Sequence, residues 1–353
     1  MDARAARPRP GPIDVRLSDP GELAAAVPHL LGFRPAESVV LLSLGGRGGR
    51  QLGLTLRADL PPPVHGLSVA RELARAVLTD DPGAVVGVIV SEAGDTGNGL
   101  PHRALVRDVV VSLAEHAVPV PQLLLVRDGR WWDYDCPAAC CAPGAGTPLP
   151  AGVSELEVAA VATGLVVERD RAALAGRIAG PGGDAGRAMA EACARVAGEC
   201  ADAIVASGWD EVAARSWDAV LDALARSRPG PPAEASRLSD REVARLLWGL
   251  RDRAVRDRAL ELGLGPDAAA AEQLWAECTR RAPAPLDAAP ATLLAVSCWL
   301  RGDGAMADVA LTRALAGSPD YALAGLLADA LRACVPPAQL RGLIERTAAD
   351  RAS

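Results

Sequence analysis

The densest run of reactive side chains in this chain is Trp131-Trp-Asp-Tyr-Asp-Cys136-Pro-Ala-Ala-Cys140-Cys141. Three thiols within six positions are soft donors, the kind that hold zinc. The spacing Cys-x-x-x-Cys-Cys is not that of a zinc knuckle, and no histidine or second cysteine pair follows it. Asp135, His116 or one of the distant cysteines would have to complete a ligand set. Arg130 would activate a thiol only from close range, so a redox role has less behind it. The plainer reading is a tight Cys/Pro/Gly loop packed under the tryptophans. No metal and no cofactor are expected; Cys136, Cys140 and Cys141 are the ligands if that expectation fails. Neighbouring strand residues point to opposite faces, so Trp131 and Trp132 cannot share one core. One of them is expected near the surface or under a second domain, and this loop, with Tyr134 and Cys136, is the first candidate for a ligand site.

The second candidate is Gly32-Phe-Arg-Pro-Ala-Glu-Ser38, between a helix end and a buried strand. Arg34 offers an anion a planar guanidinium fork, and Glu37 and Ser38 stand beside it. Its plainer reading is an Arg34–Glu37 surface ion pair. Gly94-Asp-Thr-Gly-Asn-Gly99 lies between a strand and a helix, where glycine-rich loops cradle phosphate. It lacks the dinucleotide fingerprint and its ribose-binding acid, so a flexible loop is the simpler expectation. Gly66-Leu-Ser68-Val-Ala follows a proline run instead of a buried strand, which removes the context a nucleophile elbow needs. Ser68 reads as a helix cap. The four histidines have no mutual metal spacing, and Cys193, Cys200, Cys278, Cys298 and Cys334 sit in apolar helical patterns as small core residues. The sequence contains no lysine, so all 37 basic residues are arginines. That removes Walker A, Schiff-base and Ser-x-x-Lys chemistry, and with it P-loop nucleotidases, pyridoxal enzymes and ordinary kinases.

These residues need elements to position them. With 353 residues, half of them hydrophobic, the chain can bury two cores. A net charge of −7 argues against nucleic acid and anionic membrane as partners. No run reaches the ~20 apolar residues of a membrane span, and the N-terminus lacks a signal-peptide core, so a cytoplasmic location is expected. Asp19-Pro-Gly-Glu22 opens a helix that Gly32 ends. Strands are predicted over 38–44, 52–60, 84–91 and 120–127, with a last short one at Arg130; helices are predicted over 67–78 and 102–116. The order α-β-β-α-β-α-β-β predicts a mixed sheet with helices against it. From Arg187 onward only helical periodicity is present, with a Ser239/Glu242 capping box. Leu294, Gly302-Asp303, Ala307, Leu311, Ala314 and Pro319 match one tetratricopeptide-like unit; an ordinary helical hairpin fits as well. The expected organisation is a disordered tail over 1–15, an α/β domain over 16–179, a linker over 180–186, an all-α domain over 187–346 and a tail over 347–353.

Leu17-Ser-Asp-Pro-Gly-Glu-Leu, Leu31-Gly-Phe-Arg-Pro, Gly129-Arg-Trp-Trp-Asp-Tyr-Asp-Cys and Trp299-Leu-Arg-Gly-Asp-Gly-Ala, in that order, resemble an uncharacterised actinobacterial domain-of-unknown-function family. The resemblance runs from about Leu17 to Leu343. It implies a cytoplasmic actinobacterial protein and carries over no activity, cofactor or catalytic residue. Two functions stand. The first is a non-enzymatic interaction or scaffold protein whose helical half meets a protein partner. The second is a small-molecule-binding or hydrolytic α/β domain with a pocket near Arg34 and the Cys136 loop. Convergence of Arg34, Glu37, Tyr134 and Cys136 on one polar pocket would favour the second.

Overall fold

The structure is a computed structural model that describes residues 19–45, 51–97, 99–150, 166–228 and 237–352. Contacts divide the chain into two compact units, Met1–Asp170 and Arg171–Ser353. The tail expected over 1–15 lies outside the described residues. Helix α1 (Pro20–Leu31) has both ends written locally. Asp19 accepts from the backbone N–H groups of Gly21 and Glu22 at 2.6 and 3.0 Å, Pro20 takes the first turn, and Gly32 closes the helix at φ 72°.

One sheet follows, built from β1 (Ser38–Gly45), β2 (Gln51–Asp59), β3 (Ala84–Val90), β4 (Gln122–Arg127), β5 (Arg130–Asp133) and β6 (Thr147–Pro148). Its spatial order is β2-β1-β3-β4-β5-β6, and only β3 and β4 run parallel. A parallel pair needs a long crossover, which helix α3 (Arg103–Ala114) provides; α2 (Gly66–Val77) joins β2 to β3. The middle strands are apolar without alternation because both faces are covered. Val39, Leu41, Ile89, Leu123 and Leu125 pack with Leu73, Val77, Val109 and Leu113 of α2 and α3. Val40, Leu42, Val88 and Leu124 alternate with them, are also buried, and turn to the other face, where α1 touches β4.

Among its described residues the second unit holds no strand. Its helices are α4 (Arg171–Gly176), α5 (Gly183–Ser207), α6 (Trp209–Arg226), α7 (Asp240–Gly249), α8 (Arg253–Leu260), α9 (Ala268–Arg281), α10 (Ala288–Leu300), α11 (Gly304–Gly317), α12 (Ala322–Arg332) and α13 (Pro337–Ala352). Helix α10 is apolar all round, and its residues from Pro290 to Trp299 are all buried, as a central helix requires. The Ser239/Glu242 capping box forms at the start of α7.

The observed boundaries differ from the expected ones. Residues 171–179 fall in the helical unit, where Leu174 and Ile178 are buried and Arg171 pairs with Asp308 of α11. The stretch 180–186 is helical from Gly183, and the expected tail from 347 continues α13 to Ala352. Glycine and proline at 180–183 signalled a break in the helices, which the chain makes within one unit and not between two.

Candidate functional site

Antiparallel pairing of β1 with β3 sets Ser38 opposite Val90, and parallel pairing of β3 with β4 sets Val90 beside Val126. The start of β1 and the ends of β3 and β4 therefore meet at one edge. In open α/β sheets the carboxyl ends of parallel strands are where ligands bind. Here that edge is lined with ionisable and hydroxyl groups.

At its centre is Ser91, only 1% exposed. Its hydroxyl donates to Glu37 Oε2 at 2.8 Å, stands 2.9 Å from His102 Nε2 and accepts from the Ala93 N–H at 3.2 Å. The other Glu37 oxygen accepts from the Glu92 N–H at 2.8 Å. A serine hydroxyl has one proton to give. With Glu37 ionised that proton points to the carboxylate, so His102 must carry its hydrogen on Nε2 and donate to Ser91. This leaves His102 Nδ1 as the lone-pair nitrogen. Burial lowers the His102 pKa from its ordinary value, and the Glu37 charge opposes that shift. Glu37 and His102 hold left-handed backbone conformations, at φ 41° and 60°. For glutamate this is an uncommon, strained state that its two hydrogen bonds maintain.

Around this node, Ser38 donates to the Ala36 carbonyl at 2.7 Å and accepts from Arg57 Nε at 2.9 Å. The Glu92 carboxyl stands near that of Asp128, and its pKa is raised by loss of hydration first, then by Asp128 and the nearby charge of Glu37. Arg127 is occupied elsewhere. It donates to the Ala93 carbonyl at 2.6 Å, pairs with Asp95 at 3.1 Å and stacks 4.8 Å over the Trp132 ring. Asp95 in turn accepts from the Gly144 N–H at 2.7 Å and so ties the cysteine loop to this edge.

The sequence candidates separate. Glu37 and Ser38 belong to the strand edge. Arg34 is exposed, and among the described residues it forms no ion pair with Glu37, whose carboxylate is turned to Ser91 and Glu92. The two tryptophans do take opposite faces. Trp132 is buried in the core shared with α2 and α3, and its Nε1 donates to the Ala142 carbonyl at 3.3 Å. Trp131 is half-buried, with its indole close against Gly21 of α1. Each tryptophan is thus packed inside the first unit. Tyr134 is 4% exposed, its hydroxyl donates to the Pro101 carbonyl at 2.8 Å, and burial pushes the phenol above its ordinary pKa. It fixes the turn that carries His102. Arg34, Glu37, Tyr134 and Cys136 therefore do not converge as one set.

Cys136, Cys140 and Cys141 place their sulfurs within 4.8 Å of one another. The 3-10 turn Ala139–Cys141 buries Cys141, whose sulfur accepts from the Asp133 N–H at 3.3 Å; Cys140 stays exposed. Burial is the main reason the Cys141 thiol is pushed up to about 11. Ser91, Asp95, His102, Arg127 and Asp128 were missed in the sequence, because Ser91 and His102 each stand alone in it. Only Asp95 lay within a flagged motif. In the glycine-rich stretch after β3, Thr96 and Gly99 bond each other through their backbones at 2.9 and 3.1 Å.

The second unit holds a cleft of about 520 Å³ lined mainly by alanine, proline and glycine, with Asp287 and Arg313 in its wall. Arg313 Nε donates to Asp287 Oδ2 at 3.2 Å, while Asp287 Oδ1 and Arg313 Nη1 are buried without a partner.

No helix among the described residues is long and apolar enough to cross a membrane. Residues 20–338 match the model of one protein family, described as a domain of unknown function (DUF4192). No curated protein and no solved structure matches the chain.

Proposed function

We propose that this chain, which belongs to the DUF4192 family of unknown function, is a non-enzymatic binding protein. Its α/β unit takes a small organic cation at the carboxyl ends of β3 and β4. One observation carries the reading: Glu37, Glu92 and Asp128 crowd one strand edge, and Asp128 and Glu37 help raise the Glu92 pKa. Arg127 at this edge is already spent on Asp95, and Arg57 on Ser38 and Asp59. Carboxylates that repel one another gain from a cation placed among them. Against catalysis by Ser91 stand its burial and its saturated hydroxyl: substrate cannot reach it, and its proton is held by a carboxylate. Its work is to hold Glu37 and His102.

The test is calorimetric titration of the full chain with agmatine, a guanidinium-bearing amine, and with benzoate as the anionic control. Agmatine should bind, and Glu37→Gln or Glu92→Gln should each weaken it about tenfold, or 1.4 kcal/mol. Arg34→Ala should leave it unchanged. In mildly acidic buffer, binding should expel protons, because a cation lowers the raised Glu92 pKa. Agmatine heats no larger than those of benzoate, or heats untouched by both glutamine variants, would sink the proposal.

A second reading, a protein-interaction role for the helical unit, is favoured by α12, which follows the helical pair α10–α11, whose sequence matches the spacing of one tetratricopeptide unit. Leu326 of α12 is 68% exposed. If that face docks a partner, Leu326→Glu should remove proteins that co-purify with the wild type from its host while leaving the thermal melt unchanged. Identical co-purification would end this reading.

A further inference from the structure

The three thiols of the Cys136 loop are brought together by the fold more tightly than their sequence spacing requires. Cys136 leaves the end of β5, the chain passes through Pro137 and Ala138, and the 3-10 turn Ala139–Cys141 folds Cys140 and Cys141 back. All three sulfurs then lie within 4.8 Å of one another, and those of Cys140 and Cys141 are 3.9 Å apart. Thiolates around one zinc ion, each ~2.3 Å from it, stand about 3.8 Å apart in a tetrahedron. The arrangement therefore needs shifts of an ångström or less to accept an ion.

Two further features point the same way. The Asp133 N–H is aimed at Cys141 Sγ, a contact that a thiolate accepts far better than a thiol. Three clustered thiols otherwise gain little, because S–H groups are weak donors and weak acceptors. A disulfide within the trio would leave one sulfur over, and it would do nothing for the other two contacts.

We propose that Cys136, Cys140 and Cys141 together bind one thiophilic metal ion, zinc(II) or copper(I). Thiolate sets select these soft ions over magnesium and calcium. Binding involves no electron transfer: three S–H bonds break, three metal–sulfur bonds form, and three protons pass to the buffer. Among the described residues no histidine, carboxylate or further cysteine joins the trio. The protein thus supplies three ligands, and Cys140 is exposed, so any fourth position of a zinc ion opens to solvent. The ion would pin the loop whose Ala142 carbonyl holds Trp132 and whose Gly144 N–H holds Asp95. This inference is independent of the organic-cation proposal, since its ligands are thiols and its ion is soft.

The experiment uses the full chain, reduced and stripped with a chelator, then titrated with cobalt(II) as a spectroscopic stand-in for zinc. One equivalent should produce a thiolate-to-cobalt charge-transfer band together with visible d–d bands, and added zinc should abolish both. Loading with zinc should release three protons and protect three thiols from a thiol reagent. Cys140→Ser, at an exposed position that leaves the core untouched, should weaken binding at least about tenfold, while Cys334→Ser should not. A parallel titration with copper(I) under a competing chelator identifies which ion the trio prefers; binding of either supports the proposal. It is overturned if the fully reduced chain binds neither cobalt(II) nor copper(I) in competition with a weak chelator, or if Cys140→Ser binds the ion as tightly as the parent.

Discussion

Replacing Ser91 by alanine tests the strand-edge node against a matched control in the same unit. Ser91 and Ser112 are both buried, at 1% and 2% exposure. Their hydroxyls differ in one respect: Ser91 has three hydrogen-bond partners, and Ser112 Oγ has none. Each lost bond costs about 0.5–1.5 kcal/mol net, and one to a charged group somewhat more. Glu37 is exposed and can rehydrate, so its share belongs at the low end of that range. The Ala93 N–H and the half-buried His102 lose partners they cannot fully replace. Ser91→Ala should therefore destabilise the first unit by about 2–4 kcal/mol. Ser112→Ala removes an unpaired polar atom from a helix interior and replaces serine by a better helix former. It should be neutral or stabilise by about 0.5–1 kcal/mol. Urea unfolding, followed by hydrogen exchange in peptides from β3 and β4, reads the first unit without interference from the helical one. If the two variants fall within about 1 kcal/mol of each other, hydrogen-bond satisfaction is not what holds this edge and the account of Ser91 is wrong.

Trp132→Ala should cost about 3–5 kcal/mol, because it empties a buried site under the cysteine loop, and Trp131→Ala should cost less because that ring is half-buried; equal losses in chemical denaturation would contradict the assigned faces. Gly146→Ala should also loosen this loop, since Gly146 has φ 73° and an added Cβ would collide with the Trp132 ring; unchanged protease resistance of the loop would count against it. His102 has a pKa below 6.5 when folded, so the unfolded state holds more protons in mild acid, and stability should fall as pH drops from 6.5 through the lower folded value. His102→Asn, which tolerates the left-handed backbone, should flatten that part of the stability curve, and an unchanged slope would refute it. Asp287 and Arg313 have side chains only 8% and 14% exposed, so Arg313→Ala should destabilise the helical unit by about 3–5 kcal/mol. A thermal melt like that of the parent would show that the pair is not coupled to folding.

Much of the local structure was legible because its causes are local. Asp19, Pro20 and Gly32 bound α1 through contacts that span at most three residues, and the Ser239/Glu242 box does the same for α7. The apolar runs at Val39–Leu42 and Val85–Ile89 announced strands covered on both faces. Period-two geometry alone separated Trp131 from Trp132. The three close cysteines were equally visible as a group, but their spacing matched no standard zinc motif. Only the 3-10 turn, which sequence does not announce, shows the sulfurs together.

The strand-edge site is a different matter. Glu37 and Ser91 are 54 residues apart and meet only because β1 runs antiparallel to β3 in one register. Arg127 and Asp95 meet because β4 lies parallel to β3 on its other side. A shift of one residue in the β1–β3 pairing would turn Ser91 to the other face and leave Glu37 without it, and one in the β3–β4 pairing would part Arg127 from Asp95. Register is decided by the burial of Val39, Leu41, Ile89 and Leu125 against α2 and α3, a sum over many contacts distant in sequence. Residue types fixed which side chains were able to do chemistry. Which of them face one another was settled by the hydrophobic core, where the pairing that buries every apolar face also brings one carboxylate, one hydroxyl and one imidazole together.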